Sequence, residues 1–165
     1  MDDNEVIDLD LLLEQEARLT MAGFDFDCAF RLGYAMVERA KEAALPIAIA
    51  IRRNGRILFS AALPGSSRDN EAWLARKARV VDRFGHSSLY VRELLRREQG
   101  VVAAADRDLP SSSYALFGGS FPVVVARTGP VGTVTVSGLP DVDDHRFVID
   151  CLEAHLNDHR DGGLG

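Results

Sequence analysis

At 165 residues the chain is long enough for one domain to bury a two- or three-layer core without disulfides or metal. Hydrophobic content of 47% beside 27% charged residues excludes a disordered chain, and a net charge of −6 argues against general nucleic-acid binding. Cys28 and Cys151 lie far apart with no further cysteine, which leaves no zinc site or disulfide framework and points to a reducing compartment.

Residues 1–16 carry seven acids and no base, and they lack the positive region and apolar run of a secretory signal. No apolar stretch is long enough to cross a bilayer, so a cytoplasmic location and no membrane contact are expected. Leu9, Leu12, Leu13, Glu16 and Leu19 predict a first short helix stopped near Gly23. A second helix follows, with Asp25 or Asp27 as N-cap and a buried face at Phe26, Ala29/Phe30, Gly33, Met36/Val37, Ala40 and Ala44, ended by Leu45-Pro46.

Ile47, Ile49 and Ile51 alternate with Ala48 and Ala50, and Asn54-Gly55 separates them from a second apolar run, Arg56–Leu63. Both central residues of a type I′ turn need φ > 0, so Asn-Gly between two such runs predicts a hairpin. Its register sets Arg53 opposite Arg56, with Arg52 beside them, like charges that water and salt can screen at an exposed tip. From Arg52 to Arg107 there are twelve Arg/Lys against six Asp/Glu, a basic middle third in an acidic protein. Such a face pairs with acidic segments of the same chain or a neighbouring subunit, or else receives an anion.

Ser67 or Asp69 caps a third helix running to about Phe84, with Gly85 at its C′ position. Ser87 or Ser88 caps a fourth, carrying Tyr90, Val91, Leu94 and Leu95 and closed by Gly100. Residues 101–119 read as a loop with a short strand near Tyr114–Phe117. Val123–Ala126 and Val131–Ser137 are strands, and a final helix spans about 141–158. No repeat or linker divides the chain, so it is a single domain over 1–165, with an acidic helical extension at 1–22 and a core at 23–158. This order of elements suits an α/β (α+β) fold with helices packed on an antiparallel sheet.

Several segments carry a family likeness: Arg53-Asn54-Gly55, Ala62-Leu63-Pro64-Gly65, Asp69-Asn70 with Trp73, Arg76-Lys77, Arg83-Phe84-Gly85-His86-Ser87-Ser88, Gly118-Gly119-Ser120-Phe121-Pro122, and Gly132–Pro140 before Asp144-His145. In order and spacing they resemble the haem-degrading-domain (HbpS/GlcG-like) superfamily, in its fungal-and-bacterial branch, over roughly residues 24–156. The resemblance implies a profilin-like three-layer α/β/α sandwich with a central antiparallel sheet, and homo-oligomers. It also implies haem as a candidate cofactor, since related members bind it. The family pattern has a histidine directly before the Gly-Gly pair, where this chain has Phe117.

On a helical wheel Trp73, Leu74, Val80, Val81 and Phe84 gather on one side of the third helix, with Lys77 near the middle of that stripe. A buried ammonium is expensive unless paired. Lys77 therefore either receives a carboxylate or phosphate together with Arg76, Arg83 and the Trp73 wall, or pairs with a carboxylate of the core or of a subunit interface. Thr133, Thr135 and Ser137 place three hydroxyls on one strand face, suited to a half-exposed sheet or to a pocket lining. His86 and His145 are candidates for an axial ligand or proton carrier, or for capping and surface roles. His155 and His159 have metal-ligand spacing but no accompanying carboxylate motif, and no metal site is assigned. G-x-S-x-G, P-loop and G-x-G-x-x-G signatures are missing. The expected function is therefore binding of a small or flat anionic ligand, such as haem, by a cytosolic homo-oligomer. The alternative is an adaptor docking an acidic protein partner through Arg52, Arg53 and Arg56.

Overall fold

The computed structural model describes residues 6–98 and 108–161. In chain order these form α1 (Leu9–Arg18), α2 (Phe26–Glu42), β1 (Ala48–Arg53), β2 (Arg56–Ala62), α3 (Arg68–Phe84), α4 (Ser88–Glu98), β3 (Ser120–Val125), β4 (Gly129–Ser137) and α5 (Asp141–Asp161). The strands make one antiparallel sheet in the order β2-β1-β4-β3. Helices α2 and α5 cover one face and α3 and α4 the other, the expected three-layer sandwich.

Local chemistry sets most boundaries. Asp25 is the N-cap of α2, its Oδ1 accepting the Cys28 N–H at 2.8 Å, and Asp8 starts α1 in the same way through Asp10. At α3 the Ser67 N–H donates to Asn70 Oδ1 (2.7 Å), and Gly85 ends the helix at φ 71°. Asn54 (φ 50°) and Gly55 (φ 78°) make the hairpin turn, and Arg53 does face Arg56.

Strand alternation divides the residues between two layers. Ile47, Ile49, Ile51, Phe121, Val123, Val134 and Val136 meet Leu32, Met36, Val148 and Leu152 in the main core. Each such side chain, fully buried, contributes about 1.5–3 kcal/mol. The opposite sheet face is small and polar, with Ala48, Ala50, Ser120, Thr133, Thr135 and Ser137 under α3. Another apolar cluster joins α3, α4 and residues 108–116 through Val80, Val91, Leu95 and Leu109, with Tyr114 and Leu116 against it.

Two expectations need comment. Tyr114–Phe117 is not a strand. Met21 bridges the C-terminal end of the outer edge of β3, its N–H donating to Val124 O (2.8 Å) while the Ala126 N–H donates to Met21 O (2.9 Å). The Ala115 N–H finds its acceptor on α3 rather than on the sheet, at Arg76 O (3.2 Å). Gly100 and residues 101–107 of the expected loop lie outside the described residues.

Helix α1 lies against its own chain. Glu16 Oε2 accepts from His86 Nδ1 and Oε1 from the Ser87 N–H, both at 2.7 Å, and Arg18 pairs with Glu153 at 2.5 Å.

Candidate functional site

Helices α3 and α4 diverge around a cavity of about 750 Å³, closed on the third side by residues 108–117. Its wall is mostly apolar and aromatic: Trp73 on α3, Leu95 on α4, then Leu109, Tyr114, Leu116 and Phe117. Among the described residues three guanidinium groups, Arg76, Arg92 and Arg96, also line it, with Asp108 as the one carboxylate. Size and lining suit a drug-sized or cofactor-sized ligand with an apolar body and anionic groups.

The wall is held in place from its own side chains. Trp73 meets Phe117 edge to face at 5.1 Å, and the Arg76 guanidinium lies 4.3 Å over the Trp73 ring. Arg76 Nη1 donates to Ser111 O at 2.8 Å, so the same side chain ties α3 to the loop. On α4, buried Glu93 accepts from Arg92 (2.8 Å) and Arg96 (2.9 Å), and Arg92 also pairs with Asp141. Glu93 fixes both arginines on the α4 side of the cavity, while Arg96 remains about half exposed.

Of the residues singled out in the sequence, Trp73 and Arg76 line this cavity. Lys77 lies inside the protein at 3% exposure, its ammonium donating to Asp144 Oδ2 (2.9 Å) and Val136 O (3.1 Å). Burial pushes the Asp144 carboxyl up, opposed by Lys77 and by the backbone N–H groups of Leu139 and Gly138. Gly119, at φ 124°, leaves room for this pair, because a Cβ there would sit 2.8 Å from Lys77 Nζ. Arg83 donates to Asp108 O at 3.0 Å and faces Tyr114 from outside the lining.

The three hydroxyls lie under α3, away from the cavity lining. Thr135 shares a 2.8 Å hydrogen bond with Ser120, Ser137 accepts from Asn70 at 3.3 Å, and the Thr133 hydroxyl is buried without a hydrogen-bond partner. His86 is held by Glu16, and His145 Nε2 donates to Gln15 Oε1 at 2.8 Å with Nδ1 buried and unpartnered. His155 sits 3.3 Å from Cys28 Sγ and stacks on His159 at 4.4 Å. Burial lowers the His155 pKa, with His159 and Arg31 adding to the effect, and raises that of the Cys28 thiol. Among the described residues no cluster of three or more His, Cys, Asp or Glu could hold a metal ion, and no helix is long and apolar enough to cross a membrane.

Sequence reasoning missed Arg92, Arg96, Tyr114 and Phe117 as cavity residues. Two arginines at i, i+4 on α4 were a readable signal. Phe117 carries one signal, its place where the family pattern has a histidine, and Tyr114 carries none, because it lies in a segment without periodicity.

A model of the family described as "Haem degrading protein HbpS-like" matches residues 24–153. The chain belongs to this family. It is similar to a UPF0303 protein of Streptomyces coelicolor, 50% identical over 147 residues that make up 89% of this chain and 92% of the relative. Among solved structures, that of the Ybr137w protein superimposes with a TM-score of 0.83 at 31% identity, over 92% of this chain and 89% of that one. A structure described as a PduOC:heme complex superimposes with a TM-score of 0.65 at 19% identity, over 80% of this chain and 94% of that one, which shows a shared fold. Phe117, standing where the family pattern of the sequence analysis has a histidine, forms part of the cavity wall in this HbpS-like protein.

Proposed function

We propose that this HbpS-like protein binds a flat, apolar-bodied anion in the α3–α4 cavity, with haem as the leading candidate. The observation that carries the reading is the pairing of an aromatic wall with three arginines around about 750 Å³. Trp73, Phe117 and Leu95 would flank the macrocycle, and Arg76, Arg92 and Arg96 would meet the propionates. Among the described lining residues there is no histidine, cysteine or methionine, and Tyr114 is the one side chain of a kind that ligates haem iron. A bound haem would supply redox and oxygen chemistry, while the chain would bind, orient and shield it. The family description and the haem complex of the similarly folded PduOC structure add support.

Haemin titration followed at the Soret band tests this. A saturable shift is expected in the wild-type protein, weakened about tenfold or more in Arg76→Gln/Arg96→Gln. Tyr114→Phe is expected to keep binding and change the visible bands of the ferric complex. No shift, or the same titration in all three proteins, would sink the assignment. The remaining reading would then be docking of an acidic protein partner on Arg52, Arg53 and Arg56, read out by salt-dependent capture.

A further inference from the structure

Helix α3 covers only part of the sheet face beneath it. At its start Asn70 donates to Ser137 on β4, and Ser137 stands opposite Ala48 on β1. From there the helix runs mainly over β4 and β3 and leaves a groove of about 420 Å³ at its side, over Ala48, Ala50, Ser60 and Ala62. These short side chains keep the groove open, where a row like Ile47, Ile49 and Ile51 on the opposite face would fill it.

Each end of the groove carries a charge. Arg52 lines the end near the hairpin, and Glu71, next to Asn70, borders the end near Ala48 and Ala62. Glu71 is exposed and forms no ion pair with another described residue. Arg52 Nε is buried without a hydrogen-bond partner. So is the hydroxyl of Thr133, which is 1% exposed and faces Arg52 across the β1–β4 ladder. Burial lowers the Arg52 pKa, with Asp82 opposing and Arg79 adding to the effect. Asp82 comes near the guanidinium without a hydrogen bond or ion pair to it, so Arg52 lacks an acceptor of its own. A buried guanidinium nitrogen and a buried hydroxyl with nothing to donate to are costly, and a carboxylate is the acceptor that fits an arginine fork.

The two ends also set length and charge. Strand β1 rises about 3.3 Å per residue, which puts the Cα atoms of Ala48 and Arg52 about 13 Å apart. With both charged side chains lining the groove, the space between them suits opposite charges about 7 Å apart, the span of a dipeptide. A dianion would be matched at Arg52 and opposed at Glu71, and an apolar molecule would leave both without partners.

We propose that the groove beside α3 binds a small zwitterion of dipeptide length, its carboxylate on Arg52 and its ammonium on Glu71, with the body lying over Ala48, Ala50 and Ala62. No residue lines both this groove and the α3–α4 cavity, so this proposal and the haem assignment can fail separately.

Calorimetric titration of the full chain with L-alanyl-L-alanine, its N-acetyl derivative and its C-terminal amide is the test. The free dipeptide is expected to saturate, and each blocked form to bind about tenfold more weakly or worse. Arg52→Gln is expected to remove the difference between the dipeptide and its amide, and Glu71→Gln that between the dipeptide and its acetyl form. Ser60→Phe, at an exposed position on the groove floor, is expected to abolish binding with an unchanged circular dichroism spectrum and haemin titration. No saturable heat from the dipeptide up to about 10 mM overturns the proposal. Equal binding of the free and blocked forms overturns it too, as does an affinity unmoved in Arg52→Gln and Ser60→Phe.

Discussion

Burial pushes the His145 pKa down to about 4, with Arg146 adding to the effect and Asp141 opposing it. The ring reaches Gln15 through Nε2 and its Nδ1 is buried without a hydrogen-bond partner, so the folded protein holds the neutral imidazole. In the unfolded chain the same group takes a proton near its ordinary pKa of about 6.5. The unfolded state therefore binds more protons between these values, and stability falls as pH drops through that window. The difference corresponds to about 3 kcal/mol, fully present above pH 6.5 and lost by about pH 4. The lowered His155 acts in the same direction. Urea unfolding at a series of pH values should show this slope, and His145→Gln should flatten most of it. An unchanged slope in the variant would mean that His145 is not the titrating group. Lys77 shows how far one residue is legible. Its place in an apolar stripe announced a buried, paired ammonium, but Asp144, 67 positions away on α5, carried no local mark as its partner.

At the scale of elements, Glu16 supplements the local N-cap of α4, where the Ser87 hydroxyl accepts the Tyr90 N–H at 3.2 Å. Its carboxylate accepts the Ser87 N–H, at the positive end of α4, and holds His86 with its second oxygen. Glu16→Ala removes a largely buried acceptor and leaves the Ser87 N–H unpaired, so it should cost about 1–3 kcal/mol in urea unfolding, with faster amide exchange over the first turn of α4. A loss confined to α1, with α4 amides unaffected, would show that the contact anchors α1 alone. The acidic extension, α4 and its Ser87 cap were readable, whereas their junction was not, because a contact supplied from 71 positions away has no sequence signature. The hairpin lies at the other extreme. Asn54-Gly55 and the alternating isoleucines determine turn, register and inward face within about ten residues.

For the whole molecule the question is whether the ligand cavity communicates with the far edge of the sheet. The cavity is built on α3, α4 and residues 108–117, and the exposed surface beside β2 on α2, β1 and β2, with Glu71 and Leu74 from α3. Between them lies the α3 face of β4 and β1, where Thr133, Thr135 and Ala50 meet one face of a helix held by the Lys77–Asp144 pair. That pair, with its backbone hydrogen bonds, ties α3 to β4 and α5 in a single arrangement. Coupling between two sites needs an element with two arrangements that both sites bias. A clamped α3 does not provide one, so the coupling free energy should be close to zero. Haemin affinity of Tyr34→Lys/Ile57→Lys, two exposed positions at the far edge, should therefore stay within about twofold of the wild type in the Soret titration. A larger change in that variant would reveal that α3 moves as a unit despite its buried ion pair.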